Sequence, residues 1–427
     1  MIIRQKYLDA LASFQDTDLV KVITGIRRCG KSTMLEMMRQ KLVGDGVDPG
    51  RLFTFKMESM EFDGIKDYRE LYHIVLDKIQ GVEHPYLFFD ELQNIEGWEK
   101  AINSLRVDYD CDIYITGSNA FLLSSEIATL ISGRYVEIPM QTLTFSEYLD
   151  FRGASLPKGD LGSSGVVQLG DRSFATTKSL FTDYMTYGGF PYLATKKPEK
   201  AVCSAYIRDL YQTIVVRDIL AREKRRGHKT ITDRKLLERI CLYLSDNIGN
   251  RTSINKIVGT LKENGAASSN KTVDSYIEAL LEAYLFTRAD RFDIKGRALL
   301  ATGGKYYICD TGLRNHLDGY RGSDTGRLLE NIVHNQLVFD GYTVHVGHLR
   351  AGEVDFVASG NSGERFYIQV TETMLSPETH ERELTPLRKI PDEFPKIVLT
   401  LDEVHPTDED GIRIINIIDY LTGSAEL

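Results

Sequence analysis

Gly25-Ile26-Arg27-Arg28-Cys29-Gly30-Lys31-Ser32 places two glycines at the ends of one short loop and follows the second with a lysine and a hydroxyl. Each residue type suits phosphate chemistry. Glycine lets consecutive backbone N–H groups curl around an anion, and a helix starting at Lys31 adds the positive end of its dipole. Lysine reaches the β and γ oxygens of a nucleoside triphosphate, and the serine hydroxyl is a hard ligand for magnesium. The predicted phosphate-contacting set is therefore Gly25, Arg28, Cys29, Gly30, Lys31, Ser32 and Thr33.

A second group completes that chemistry. Tyr86-Leu87-Phe88-Phe89 is an apolar run ending in the paired acids Asp90 and Glu91. One carboxylate at such a strand end holds Mg²⁺ and its neighbour polarises water against the γ-phosphate, so Asp90 is assigned to the metal with Ser32, and Glu91 to water. Tyr114-Ile115-Thr116-Gly117-Ser118-Asn119 brings another polar strand end, from which Ser118 or Asn119 can orient the attacking water. Arg134 can stabilise charge on the transferring phosphoryl group, either in its own site or in that of a neighbouring subunit, which makes a homo-oligomer one expectation.

These residues need elements to hold them. Leu19 to Thr24 reads as a strand feeding the glycine loop, and Ser32 to Leu42 as the following helix. Further strands are expected at Leu52 to Lys56, Tyr86 to Phe89, Ile113 to Thr116 and Tyr135 to Ile138, with helices at Tyr68 to Gln80 and Trp98 to Asp108. Short apolar strands alternating with helices predict a parallel sheet covered on both faces. Gly153 to Arg172 is Gly- and Ser-rich and reads as a loop, after which the chain turns helical up to about Leu285. From Thr325 a helix and strands at Thr343 to Val346, Glu353 to Ala358, Arg365 to Thr371 and Ile397 to Thr400 predict another α/β domain. The expected division is residues 1–150 for nucleotide, 151–229 for a linker and helical region, 230–300 for a winged-helix-like domain and 301–427 for the last domain.

Composition bounds the reading. At 427 residues the chain exceeds one core, and 42% apolar with 26% charged residues is a globular balance. A net charge of −9 gives no global pull toward nucleic acid, so any such contact must be local. Cys29, Cys111, Cys203, Cys241 and Cys309 show no CxxC spacing and predict reduced thiols. No apolar run approaches the roughly 18 residues of a membrane span, and the start lacks a secretory pattern, so a cytoplasmic protein without a membrane partner is expected.

The chain resembles the prokaryotic AAA-type P-loop ATPases that carry a C-terminal domain of unknown function. The likeness rests on GIRRCGKST, FFDELQNIEGWE, ITGSNAFLL, ISGRYVEIPMQTLTFSEYL, YGGFPYL at Tyr187 to Leu193, KYYICDTGL at Lys305 to Leu313 and LLENIVHNQL at Leu328 to Leu337. It implies ATP with Mg²⁺, an AAA-like parallel sheet, a winged-helix-like middle and a restriction-endonuclease-like α/β end. It also implies Glu330 and Asp355 as metal candidates in that last domain, with an acid and a lysine where this chain has Gln369 and Thr371. Without the lysine that activates water, a domain that does not cut is expected.

Arg222, Lys224, Arg225, Arg226, Lys229, Arg234 and Lys235 form the densest basic stretch, and the helix opening at Asn270 begins among small polar residues. This arrangement suits DNA phosphates and base edges. The expected activity is magnesium-dependent ATP hydrolysis driving domain rearrangement in a switch acting on DNA or on a protein partner. Two rivals remain open: an ATP-gated DNA nuclease, and a regulatory winged-helix module in which turnover is incidental.

Overall fold

The computed structural model describes residues 2–65, 67–118, 133–154, 165–195, 197–221, 231–266, 268–319, 324–350 and 352–427. The chain divides into two compact units, one of residues 1–141 with 282–284 and the other of 142–281 with 285–427.

The first unit opens with helix α1 (Gln5–Ala12) and alternates β1 (Val20–Thr24), α2 (Lys31–Gly44), β2 (Leu52–Lys56), α3 (Tyr68–Ile79), β3 (Tyr86–Asp90), α4 (Trp98–Asp108), β4 (Asp112–Thr116) and β5 (Tyr135–Pro139). The five strands lie in the order β2-β3-β4-β1-β5, all parallel. Both faces are covered, since Phe89 and its chain neighbour Phe88, which face opposite ways, are both buried, stacking on Phe55 and Tyr114 respectively at 4.9 Å. A lysine inside such a strand needs a partner: Lys21 of β1, fully buried, is ion-paired with Asp112 at the start of β4. Because all five strands point one way, Thr24, Asp90 and Thr116 end on the same sheet edge.

The second unit begins with α5 (Phe145–Phe151), the hairpin of β6 (Val166–Gln168) and β7 (Phe174–Thr176), and helices α6 (Thr177–Tyr187), α7 (Pro191–Ala194) and α8 (Lys200–Thr213). The stretch expected as loop thus carries β6, because Val167 finds a buried place and pairs with Ala175. Helices α9 (Arg234–Asp246), α10 (Ile254–Glu263) and α11 (Asn270–Glu282) follow, then β8 (Phe286–Asp293) and β9 (Ala298–Ile308). After α12 (Thr311–Asp318) and α13 (Thr325–Asp340) come β10 (Thr343–Leu349), β11 (Gly352–Ser359), β12 (Arg365–Thr371), α14 (Pro377–Arg388), β13 (Lys396–Thr400), β14 (Asp408–Glu409), β15 (Ile412–Asn416) and α15 (Ile417–Thr422).

Eight strands form one mixed sheet, ordered β14-β15-β13-β12-β11-β10-β8-β9. The β8–β9 hairpin that follows the three helices belongs to this sheet, with β8 parallel to β10. Two distant sequence segments meet at Asp310: its carboxylate accepts from Gly312 N at 2.9 Å, capping α12, and from Gly189 N at 2.7 Å. Gly188 holds φ at 81°, and a Cβ there would lie 1.9 Å from Asp310 Oδ1, so the YGGFP turn admits only glycine at this approach. Burial raises the Asp310 carboxyl to about 7, against the pull of those backbone donors. No helix among the described residues is long and apolar enough to cross a membrane.

Candidate functional site

The loop between β1 and α2 is shaped by its glycines. Gly25 has φ 135° and Gly30, at the start of α2, φ 110°, while Arg28 between them takes φ 65°. These left-handed turns fold the loop over the first turn of α2, whose N–H groups have no partner within the helix. Lys31, only 4% exposed, donates from Nζ to the carbonyls of Gly25 at 2.9 Å and Ile26 at 3.0 Å. Cys29 is buried, whereas Arg28, Ser32 and Thr33 are exposed. Arg4, from before α1, clasps the loop from behind: its Nη1 donates to Cys29 O at 3.1 Å and Gln141 O at 2.8 Å.

The acids stand beside this loop. Ser32 Oγ donates to Asp90 Oδ1 at 2.9 Å, and Thr116 Oγ1 donates to the same oxygen at 2.6 Å. The Thr116 hydroxyl also accepts the Glu91 N–H at 3.0 Å, so one side chain at the end of β4 orients both acids. Glu91 takes φ 57°, which turns the chain sharply out of β3 into the turn Leu92–Asn94. Its Oε2 accepts from Ser118 Oγ at 3.2 Å and Gln93 Nε2 at 2.5 Å, while Gln93 Oε1 is buried without a hydrogen-bond partner. Lys31, Ser32, Asp90, Glu91 and Ser118 are thereby gathered at the carboxyl edge of the sheet, where open α/β folds take ligands. A hydroxyl and a carboxylate 2.9 Å apart are hard oxygen donors of the kind Mg²⁺ selects, so Ser32 and Asp90 suit that ion.

Arg134 lies elsewhere. It immediately precedes β5, whose Tyr135 is paired with Val20 at the start of β1, and its carbonyl accepts the Val20 N–H at 2.9 Å. The length of a five-residue strand, about 16 Å at 3.3 Å per residue, separates it from the loop in its own chain. Its guanidinium reaches Asn103 Oδ1 at 3.4 Å on that opposite edge. An own-site role for Arg134 is thus not met by the geometry. Asn119 and, of the basic stretch, Arg222, Lys224, Arg225, Arg226 and Lys229 lie outside the described residues. Arg234 pairs with Glu238 at 2.8 Å, and Asn270 donates to Asn255 at 2.6 Å.

In the second unit Glu330 of α13 and Asp355 of β11 do come together, around a residue that sequence reasoning had not selected. Lys305 of β9 places Nζ 2.8 Å from Glu330 Oε1, 2.8 Å from Glu353 Oε1 and 3.5 Å from Asp355 Oδ1. Gln369 accepts the Asp355 N–H at 2.7 Å and donates to Glu383 at 3.0 Å. Thr371 turns its hydroxyl to Thr373 O at 3.1 Å. Among the described residues no group of three or more His, Cys, Asp or Glu side chains is disposed to hold a metal ion. All five cysteines are free thiols.

Thr116, Gln93, Arg4 and Lys305 were the residues missed. Thr116 and Gln93 sit inside motifs already singled out, and Lys305 opens another, but only the fold reveals what each one touches.

Residues 17–149 match the family described as AAA domain, and residues 178–324 match a domain of unknown function (DUF8612). An uncharacterized protein of Haemophilus influenzae is 36% identical over 422 residues, spanning 99% of this chain and 98% of its own length. An uncharacterized protein of Methanocaldococcus jannaschii is 29% identical over 374 residues, covering 87% of this chain and 78% of its own. Among solved structures, a Walker-type ATPase of Pyrococcus abyssi aligns with TM-score 0.48 and 12% identity over 74% of this chain and 96% of that one. The phosphate loop with its paired acids, the two family matches and the end-to-end Haemophilus relative place this chain in the family of AAA-type P-loop ATPases that carry a C-terminal domain of unknown function.

Proposed function

We propose that the protein binds ATP with Mg²⁺ at the Gly25 to Thr33 loop and hydrolyses it, and that turnover drives a rearrangement of its domains. The observation that carries this is the chain of hydrogen bonds from Ser32 through Asp90 and Thr116 to Glu91, each link at 3.0 Å or less, beside a glycine loop and a buried lysine. Ser32 and Asp90 would hold the ion, which supplies charge neutralisation on the β and γ oxygens. Lys31 exchanges its loop carbonyls for phosphate oxygens. Glu91 takes a proton from the attacking water, and Ser118 with Gln93 fixes the carboxylate. The orphaned Gln93 Oε1 is an acceptor suited to that water. Within a homo-oligomer, Arg134 serves a neighbouring site.

The test is titration of a fluorescent ATP analogue. Wild-type protein should bind it saturably, and Lys31→Ala should lose at least about tenfold in affinity, the equivalent of one charge-assisted contact. Undiminished binding by Lys31→Ala would contradict the assignment.

For the remainder of the chain we propose a winged-helix-like segment over 230–300, after the linker and helical region at 151–229, and a nuclease-like fold over 301–427 that binds without cutting. DNA is the partner suited to the basic stretch and to the exposed start of α11, where Asn270 and Lys271 face solvent. Such binding must weaken as salt rises; affinity for duplex DNA that is independent of salt, or stimulation of turnover by a cell protein but not by DNA, would instead favour the regulatory module.

A further inference from the structure

Lys305 is the only basic side chain placed at the centre of the Glu330, Glu353 and Asp355 group among the described residues, and it is 4% exposed. The ammonium donates to Glu330 and, at longer range, to Asp355, and Glu353 lies within ion-pair distance. The acids have further partners. Tyr307 OH donates to Glu330 Oε1 at 2.7 Å, the Val370 N–H donates to Asp355 Oδ2 at 3.0 Å, and Arg251 Nε lies 3.8 Å from Glu353 Oε2. Tyr307 is itself braced by His334, stacked on its ring at 4.1 Å. Burial works against the charge on Lys305, but the pull of Glu330, Asp355 and Glu353 outweighs it and holds the ammonium well above the ordinary lysine range.

We propose that Lys305 is the resident cation of this site, its ammonium occupying the position among Glu330, Glu353 and Asp355 that a divalent ion would otherwise take. The carboxylates then hold together without metal, and no metal-bound water is available for phosphodiester cleavage. A lysine beside acids can also serve catalysis, but this ammonium is buried, hydrogen-bonded to Glu330 and Asp355 and ion-paired with Glu353, which withdraws it from a scissile phosphate. This inference is independent of the ATPase reading, since every group it uses lies in the second unit.

Removing the ammonium should turn the cluster into a cation site. The Glu330 and Glu353 oxygens, 2.8 Å from Nζ, need to close by only a few tenths of an ångström to reach Ca²⁺ distances of about 2.3–2.6 Å, and the Asp355 oxygen, at 3.5 Å, by about 1 Å. The experiment compares full-length wild type, Lys305→Met, and Lys305→Met combined with Asp355→Asn. Melting is followed without nucleotide, in EDTA, in Ca²⁺ or in Mn²⁺. Wild type should melt alike in all three; Lys305→Met should melt lower in EDTA and regain at least about 2 °C with either ion, and the double variant should regain nothing. A folded Lys305→Met protein that ignores both ions would overturn the proposal. Should Lys305→Met not fold, calorimetric Mn²⁺ titration of wild type against Asp355→Asn decides the matter. Matching traces support the resident cation, whereas a site present in wild type and lost in Asp355→Asn refutes it. A magnesium-dependent nick in plasmid DNA, lost in Asp355→Asn, refutes it equally.

Discussion

Gly25→Ala tests the phosphate loop at its tightest point. Gly25 holds φ at 135°, and a Cβ built there lies 2.0 Å from the Met140 carbonyl oxygen and 3.0 Å from its carbon. Met140 cannot simply withdraw, because its own N–H donates to Thr24 O at 2.8 Å across the β1–β5 pair. A non-glycine residue in that backbone region costs about 1–3 kcal/mol, and relieving the overlap adds about 1–3 kcal/mol. The sum, about 2–6 kcal/mol, corresponds to a loss of about 30-fold to 10⁴-fold in nucleotide affinity if the strain falls on the bound loop. Gly30→Ala is the control: φ is 110°, but the nearest atom to its Cβ is the flexible Met140 Cε at 3.4 Å, so only the backbone term applies. Analogue titration and thermal melting, run on both variants, separate loss of binding from loss of fold. Gly25→Ala protein that binds within twofold of wild type and melts unchanged would refute the reasoning, as would a larger defect in Gly30→Ala.

Thr116→Val keeps the shape of the side chain but removes the donor to Asp90 and the acceptor for the Glu91 N–H; turnover should fall about 10- to 100-fold, the usual cost of losing such a supporting partner, with melting nearly unchanged. His334, 2% exposed, is held neutral by burial, which lowers its pKa from 6.5 to about 4. The unfolded chain therefore binds the extra proton first, and stability present above pH 6.5 is lost as pH falls toward 4, by about 2 kcal/mol at pH 5. Denaturant unfolding of wild type and His334→Phe between pH 7.5 and 5 should show the wild type losing that much more, while parallel curves would show that His334 carries no such linkage. The buried acids Glu330 and Asp310 act in the opposite sense and cancel in this comparison.

Local pattern made the first unit readable. The runs at Leu52 to Lys56 and Tyr86 to Phe89 return as β2 and most of β3; β3 is buried along Tyr86 to Phe89 and admits only apolar residues there, while β2, at the sheet edge, buries Phe55 and exposes Thr54 and Lys56. Helices at Trp98 to Asp108 and Tyr68 to Ile79 follow equally from their amphipathic spacing. Less was visible where partners are distant. Nothing near Thr116 announces that its hydroxyl joins Asp90 to Glu91, since that contact depends on the neighbouring register of β3 and β4. The absence of a lysine at Thr371 was plain, but the ammonium among the acids enters from β9, 66 residues earlier in the chain than Thr371. Arg134 shows the converse: a basic residue near a motif in sequence stands at the far end of a parallel strand from its own loop, which leaves only the neighbouring-subunit alternative for it. β14 and α15, of two and six residues, are too short for periodicity to declare them.

The central claim is that the gathered loop and acids hydrolyse ATP, and phosphate release by the purified full chain tests it most directly. Wild type should turn over ATP with Mg²⁺ and stop in EDTA, and Glu91→Gln should keep nucleotide affinity while losing at least about 100-fold in turnover, the contribution expected of a positioned general base. Hydrolysis by Glu91→Gln at the wild-type rate, or by wild type at the same rate in EDTA, would contradict the account.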